Sequence, residues 1–170
     1  MNKEAEFTKI FDRYKDSIKR ISRSYENNSE KSQELYQEIA VAVWGAMGSF
    51  KGECLEKTWI YRIACNKAIT HVQKESKSSA YRFIPLEELD DLVGSQEFGQ
   101  RIENRDILGQ LDEMIKKLRP LDRQVFVLYL EGFHHKEISE ISGLLESNVS
   151  TKISRIKKTI KSLNIGGHNE

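Results

Sequence analysis

In GFHHKEISEISGLLESNVSTKISRIKKTIKSL, residues 132–163, the apolar residues are spaced for two consecutive helices. Ile138 and Ile141 lie one helical turn apart, which predicts a short helix over residues 135–142. Gly143 follows directly, and a glycine at this position commonly ends a helix. In the second helix the apolar residues recur at alternating intervals of four and three and form one continuous face: Val149, Ile153, Ile156, Ile160 and Leu163.

The other face of the second predicted helix is basic. Between residues 147 and 165 there is no acidic residue, while five positive charges are present: Lys152, Arg155, Lys157, Lys158 and Lys161. Such a face suits a phosphate backbone. We expect Ser147 to cap this helix, which opens on small polar residues: Ser147, Asn148, Ser150 and Thr151. The arrangement predicts a DNA-binding helix-turn-helix, and a helical hairpin with a solvated Lys-rich face is the alternative.

Composition allows one domain or two small helical ones in 170 residues, with 38% hydrophobic residues and two prolines. The net charge of the whole chain is only +1 and does not suggest nucleic acid. The charge is unevenly distributed, however. Residues 81–104 hold two basic and six acidic side chains, a balance of −4, between two weakly basic blocks. This asymmetry indicates separate roles for the blocks.

The first two predicted helices both carry wide apolar surfaces. Apolar residues at alternating intervals of four and three predict a first helix that contributes to the core: Phe7, Phe11, Tyr14, Ile18, Ile21 and Tyr25. A second predicted helix follows Ser29 and runs to about Gly48, with Leu35 and Ile39 on one side and Tyr36 and Trp44 on another. A helix with two apolar sides either lies centrally in a bundle or binds a large partner.

A loop around Gly52 precedes a third predicted helix, in which Trp59 and Ile60 face inward. We expect a mixture of aromatic, amide and cationic groups on its exposed side: Tyr61, Arg62, Asn66, Lys67, Thr70 and Lys74. Such groups can stack on and hydrogen-bond to unpaired bases, although an ordinary solvated helix face is an equal alternative. From residue 75 to about 104 the periodicity fades, which predicts a partly extended linker before four C-terminal helices.

No catalytic grouping emerges from the sequence, so we expect no enzyme, no metal site and no cofactor. Cys54 and Cys65 complete no zinc spacing and are interpreted as reduced packing residues. His134 and His135 are interpreted as a surface pair beside a turn. The N-terminus has no signal-peptide pattern and no run reaches about 20 apolar residues, so a cytoplasmic protein without membrane insertion is expected.

Three stretches resemble the extracytoplasmic-function (ECF) group of the bacterial sigma-70 family. They are ELYQEIAVAVWGAMGSFKGE, TWIYRIACNKAIT and LRPLDRQVFVLYLEGFHHKEISEISGLLESNVSTKISRIKK. The resemblance implies an all-α fold of two small helical domains joined by a flexible acidic linker. Residues 1–80 correspond to a region 2-like bundle that binds core polymerase and recognises and melts the −10 element. Residues 81–104 are the linker, and residues 105–170 correspond to a region 4-like helix-turn-helix domain that recognises the −35 element.

The resemblance also implies which residues bind each partner. Those in the position of the polymerase-binding residues are Leu35, Tyr36, Gln37 and Glu38. Those in the position of the −10 DNA-binding residues are Phe50, Lys51, Gly52, Trp59, Arg62, Asn66, Lys67 and Thr70. Those on the −35 recognition helix are Ser147, Asn148, Ser150, Thr151, Lys152, Arg155, Lys157 and Lys158. Two positions depart from the family pattern: Ser150 replaces a commonly basic residue, and Lys51 replaces the loop Arg.

The implied partners are promoter DNA and core RNA polymerase, through the clamp helices of its largest subunit and the flap of its second. An anti-sigma factor or another recruiting protein is a further implied partner, and the free protein is expected to be a monomer. Two other functions remain open from the residues alone. One is a stand-alone helix-turn-helix regulator with an N-terminal ligand- or protein-binding domain, which would bind a palindromic operator as a dimer. The other is a helical adaptor without DNA contact.

Overall fold

The computed structural model describes residues 2–77 and 83–165 and divides the chain into two compact units, Met1–Ser79 and Ala80–Glu170. The described residues form helices, short turns and a single isolated β-bridge, without a named strand. The predicted all-helical fold is therefore confirmed. The position expected to separate the first domain from the linker, residues 80 and 81, lies outside the described residues.

The first unit is a bundle of three helices: α1 (Lys3–Tyr25), α2 (Ser29–Ala46) and α3 (Glu56–Lys77). Asn2 and Asn28 begin the first two, since each side chain accepts a hydrogen bond from a backbone N–H of the first turn. All three helices contact one another. Their fully enclosed side chains form one apolar core that includes Ile18, Ile21, Leu35, Ile39, Val43, Ile60, Ala64 and Ala68.

The aromatic series predicted for α1 is core only in its second half. Ile18, Ile21 and Tyr25 are buried, whereas Phe7, Phe11 and Tyr14 are half-buried. The first two rings instead join an aromatic cluster at the bundle surface. The Phe7 ring centroid lies 5.1 Å from that of Phe11 and 5.3 Å from that of Trp44 on α2.

The second unit contains the four predicted C-terminal helices: α6 (Ile107–Lys117), α7 (Pro120–Leu130), α8 (His135–Ser142) and α9 (Glu146–Ile165). The bounds predicted for α8 are confirmed, and Gly143 ends it with a φ of +77° that disfavours other residues. The expected cap of α9 is wrong. Because α9 begins at Glu146, Ser147 lies inside its first turn.

The acidic segment, defined here as residues 83–102, is folded rather than partly extended. It forms a 3₁₀ turn (Leu86–Glu88) followed by α4 (Leu89–Val93) and α5 (Gln96–Ile102). Its large apolar side chains are buried within the second unit: Leu86, Leu89, Phe98 and Ile102. A β-bridge between Ile84 and Leu118 joins its start to the chain between α6 and α7. Burial of these side chains makes the segment part of the core of this unit.

None of the helices in the described ranges combines the length and apolar character needed to cross a membrane. Within the same residues no group of three or more His, Cys, Asp or Glu side chains is arranged to hold a metal ion. Both cysteines are free thiols, with Cys65 buried and Cys54 half-buried.

Candidate polymerase and nucleic-acid interfaces

The predicted polymerase-binding residues on α2 do not share one face. Leu35 has 0% exposure and belongs to the core, so its assignment to a contact surface is wrong. The physical reason is the helical period, since Leu35, Ile39 and Val43 face the bundle interior together. Tyr36 is half-buried, and its ring centroid lies 5.6 Å from that of Phe11. Burial raises the pKa of the Tyr36 hydroxyl above its usual value.

Gln37 and Glu38 are exposed and line a groove of about 420 Å³ between α2 and α3. Val41, which is 70% exposed, gives the groove an apolar wall, and Lys67 lines it from α3. Val41 was not singled out from the sequence, although its place one turn after Gln37 is a usable signal. The groove combines polar groups with an exposed apolar side chain, as a surface for another helix requires.

The loop predicted to contact the −10 element is attached to the start of α3 by aromatic packing. The Phe50 and Trp59 ring centroids are 4.7 Å apart with their planes 31° from parallel. Lys51 and Gly52 are exposed beyond this pair, and Gly52 has a φ of +73°, which only glycine adopts without strain. The loop therefore carries an exposed Lys51 directly after Phe50, the residue that packs on the half-buried Trp59 ring.

On α3 the exposed residues continue from Trp59 along one face. Asn66, Lys67 and Thr70 are exposed and Arg62 is half-buried, so the face contains amide, hydroxyl and cationic groups as predicted. The Thr70 hydroxyl donates to the backbone carbonyl of Asn66 at 2.9 Å. This hydrogen bond does not involve the side-chain amide of Asn66. Tyr61 was expected on the same exposed face, and this prediction is wrong. It is only 2% exposed because it turns into the bundle core.

The start of α9 carries small polar side chains that are accessible to solvent. Ser147, Asn148 and Thr151 are exposed and Ser150 is half-buried. The Thr151 hydroxyl donates to the Ser147 carbonyl at 3.1 Å, so its oxygen is directed back along the helix. Small polar side chains at the N-terminus of such a helix are the groups that reach base edges in the major groove.

Lys152 faces the interior of the second unit rather than solvent. Its side chain is 13% exposed, and its ammonium forms an ion pair with Asp122 of α7, whose side chain is 7% exposed. Glu87 of the acidic segment lies 3.6 Å from the same ammonium. A hydrogen bond from its own backbone amide lowers the pKa of Glu87, and the Lys152 charge adds to this shift. The Lys152 ammonium therefore already has carboxylate partners within the protein, Asp122 and Glu87, instead of a DNA phosphate.

Arg155 is half-buried and its guanidinium donates to the Glu87 carbonyl at 3.1 Å. Lys157 and Lys158 are exposed, with Lys157 6.0 Å from the Tyr129 ring centroid and Lys158 4.0 Å from the Asp90 carboxylate. The basic charges of α9 therefore differ in availability. The two at 157 and 158 are the more accessible.

Comparison with protein-family models matches residues 10–78 to "Sigma-70 region 2" and residues 108–160 to "Sigma-70, region 4". Together the two matched ranges cover more than half of the chain. The first range contains the α2–α3 groove and the loop at Gly52, and the second contains the helix-turn-helix.

Curated relatives match along almost their full length. The chain is 24% identical over 168 residues to the ECF RNA polymerase sigma factor SigM of Bacillus subtilis, with 95% of this chain and 96% of the relative covered. It is 27% identical over 163 residues to the ECF RNA polymerase sigma factor SigW of the same organism, with 91% and 87% covered.

Two solved structures share the fold. CnrH in complex with the cytosolic domain of CnrY superposes with a TM-score of 0.66 at 20% identity, covering 96% of this chain and 90% of that one. Sigma factor RpoE in complex with the anti-sigma factor NepR, from Bartonella quintana, gives a TM-score of 0.69 at 15% identity, covering 97% and 99%. With both family models matched in order along one chain, this protein belongs to the sigma-70 family, and the two curated relatives above are ECF sigma factors.

Proposed function

We propose that the two units of this sigma factor bind different partners during transcription initiation. The protein binds core RNA polymerase and directs it to promoter DNA. In the proposal, the first unit binds the polymerase clamp helices through the groove lined by Gln37, Glu38 and Val41. The loop at Lys51 and the face that carries Asn66 then hold an unpaired base of the −10 element. The second unit reads the −35 element with the start of α9.

The observation that carries this proposal is the match of two different sigma-70 regions to the two units of one chain. A stand-alone regulator with an N-terminal ligand-binding domain would not need a region 2-like first unit. We therefore favour an initiation factor over a ligand-dependent regulator. We also propose that the protein regulates initiation without being an enzyme itself, and that it acts in the cytoplasm as a monomer when free.

Anti-sigma regulation is a further part of the proposal. The solved RpoE structure is described as a complex with the anti-sigma factor NepR, and CnrH as a complex with the cytosolic domain of CnrY. Both chains share the fold of this protein along nearly its whole length. We propose that this chain, too, is bound by a protein that blocks its polymerase surface, and that the polymerase flap contacts its second unit.

Size-exclusion chromatography of the purified protein with core RNA polymerase tests the central step. We expect the protein to elute with the core enzyme in an equimolar complex. A Val41→Asp variant places a charge on the apolar wall of the groove and is expected to elute separately while remaining folded. Elution of the wild-type protein apart from the core enzyme at micromolar concentrations would contradict the proposal.

A further inference from the structure

The acidic segment contacts the recognition helix α9 along two successive turns. The Glu87 carboxylate lies 3.6 Å from the Lys152 ammonium, and the Glu87 carbonyl accepts a hydrogen bond from Arg155 at 3.1 Å. One turn further along, the Thr159 hydroxyl donates to the Asp90 carboxylate at 2.8 Å. The Lys158 ammonium also lies 4.0 Å from the Asp90 carboxylate. Three basic residues of the predicted −35 contact set therefore already have acceptors from the acidic segment.

Several interactions hold the acidic segment in this position. The Leu86 N–H donates to the buried Asp122 carboxylate at 3.1 Å, and this carboxylate also binds the Lys152 ammonium. Leu86 and Leu89 are both 0% exposed. Burial of two leucines stabilises the arrangement by roughly 2 kcal/mol each before entropy is counted. The contact with α9 is therefore a consequence of how the segment packs, and Asp122 links the two elements.

Charge makes this contact relevant to DNA binding. Four carboxylates lie within five consecutive positions: Glu87, Glu88, Asp90 and Asp91. They are beside α9, whose proposed recognition of the −35 element requires phosphate contacts. A phosphate that binds Arg155 must compete with the Glu87 carbonyl, which already accepts a hydrogen bond from this guanidinium. The carboxylates of the same stretch would repel that phosphate. Like charges repel more strongly beside a protein surface than in bulk water.

We propose that the acidic segment is an internal competitor of DNA for α9. While it is docked, Arg155 is bonded to the segment and the carboxylates repel the phosphate backbone, so the free protein binds duplex DNA weakly. The competitor is tethered to α9 within one compact unit, so its effective concentration is high without a tight individual contact. DNA binding then requires local displacement of the segment around Glu87. The inference rests on the proposed −35 role of α9 and deepens it.

Two charge-matched double variants of the full-length protein test this proposal. Glu87→Gln/Asp90→Asn removes the two carboxylates that contact α9. Glu88→Gln/Asp91→Asn removes two exposed carboxylates from the same five positions, so the change in net charge is identical. Binding to a fluorescein-labelled random-sequence duplex of about 30 base pairs is measured by anisotropy at about 50 mM salt, where phosphate contacts dominate. The promoter sequence is not needed, because phosphate contacts carry no sequence information.

We expect the Glu87/Asp90 variant to bind this duplex at least about threefold more tightly than the Glu88/Asp91 variant. A smaller ratio, or the reverse order, overturns the proposal, because long-range charge alone would then explain the change. Circular dichroism verifies that both variants are folded.

Hydrogen exchange of the wild-type protein supplies a readout that needs no variant. Adding the same duplex should accelerate exchange of the Ile84 and Leu86 amides, which are hydrogen-bonded in the docked segment, while exchange in α9 slows. Unchanged or slower exchange at Ile84 and Leu86 in the complex overturns the proposal.

The outcomes also separate this inference from the proposed function. If the wild-type protein binds core polymerase while the affinity ratio stays below about threefold, only the internal competition is wrong. If none of the three proteins binds the duplex even at about 50 mM salt, the DNA-reading role of α9 is wrong, and the inference falls with it.

Discussion

Asp122 is a buried carboxylate that connects α7 of the second unit to the acidic segment and to α9. Its carboxylate binds both the Leu86 N–H and the Lys152 ammonium at 5% residue exposure. Removal of one partner of a buried pair leaves the other charge without compensation. We expect Asp122→Ala to lower the free energy of unfolding by about 3 kcal/mol, measured by urea denaturation with circular dichroism. Asp91→Ala, an exposed carboxylate, should change it by less than about 0.5 kcal/mol, and equal effects of the two would contradict this account.

Gln124 is also buried on α7, but within the described part of the chain its side chain lacks the polar contacts that Asp122 makes. It is 1% exposed, and neither its side-chain oxygen nor its nitrogen has a hydrogen-bond partner among the described residues. A buried amide without partners costs free energy that an apolar side chain of similar length avoids. We expect Gln124→Met to raise the free energy of unfolding by about 1 kcal/mol in the same urea assay. A loss of similar size would show that the amide is hydrogen-bonded in solution.

Gln37 and Leu35 form a matched pair for the polymerase surface, because they are close in sequence and differ in burial. Gln37→Ala should weaken core polymerase binding by about fivefold or more and leave thermal stability unchanged, since its side chain is exposed. Leu35→Ala should cost about 2–5 kcal/mol of stability, since it leaves a cavity in the bundle core. Titration of labelled protein with core enzyme measures the first effect. Unchanged affinity of the Gln37 variant would exclude this residue from the interface.

Leu35 and Tyr61 also show what residue spacing leaves undetermined. Apolar spacing predicted that α2 has two apolar sides, but periodicity alone does not tell which side faces the core. Tyr61 is amphipathic, so its identity fits both a buried and an exposed position. The choice depends on how the three helices pack together, which is a tertiary property.

At the scale of elements, the long helices followed from the sequence and the short ones did not. The apolar series of α9 and the bounds of α8 were predicted because each spans at least two turns. The elements of the acidic segment contain three to seven residues, too few to establish a period. The spacing of Leu86 from Leu89, and of Phe98 from Ile102, was the remaining signal. Their burial comes from contacts with α6, α9 and each other.

The exposed face of α3 carries a prediction that separates melting of DNA from its recognition. If Asn66 hydrogen-bonds an unpaired base, Asn66→Ala should impair opening of the −10 region while α9, in the other unit, still protects the −35 region. Permanganate reactivity of promoter thymines measures opening. The defect should be partly relieved on templates mismatched at the −10 element, where an unpairing cost of a few kcal/mol is removed in advance.

Gln73→Ala is the control for this experiment, because it deletes an exposed amide two turns further along α3. It should leave both permanganate reactivity and −35 protection at the wild-type level. If Asn66→Ala behaves in the same way and changes only thermal stability, Asn66 is a structural residue of α3 and the base-capture role is wrong.

At the scale of the whole molecule, each unit has its own apolar core, and each carries one of the proposed DNA-reading surfaces. The sequence predicted this division from the uneven distribution of charge and from the resemblance of both blocks to sigma-70 regions. It did not predict that the acidic stretch folds with the second block. The fading apolar periodicity indicated a linker, whereas buried leucines within the same stretch determine its fold.

Mapping of transcription start sites in a reconstituted system tests the central claim most directly. Core RNA polymerase is incubated with genomic DNA fragments in the presence or absence of the purified protein, and the 5′ ends of the transcripts are sequenced. We predict new start sites that appear only with the protein and share one −35 and one −10 motif at fixed spacing. Start sites unchanged by the protein, or new sites without a shared motif, would contradict its assignment as a promoter-specificity factor.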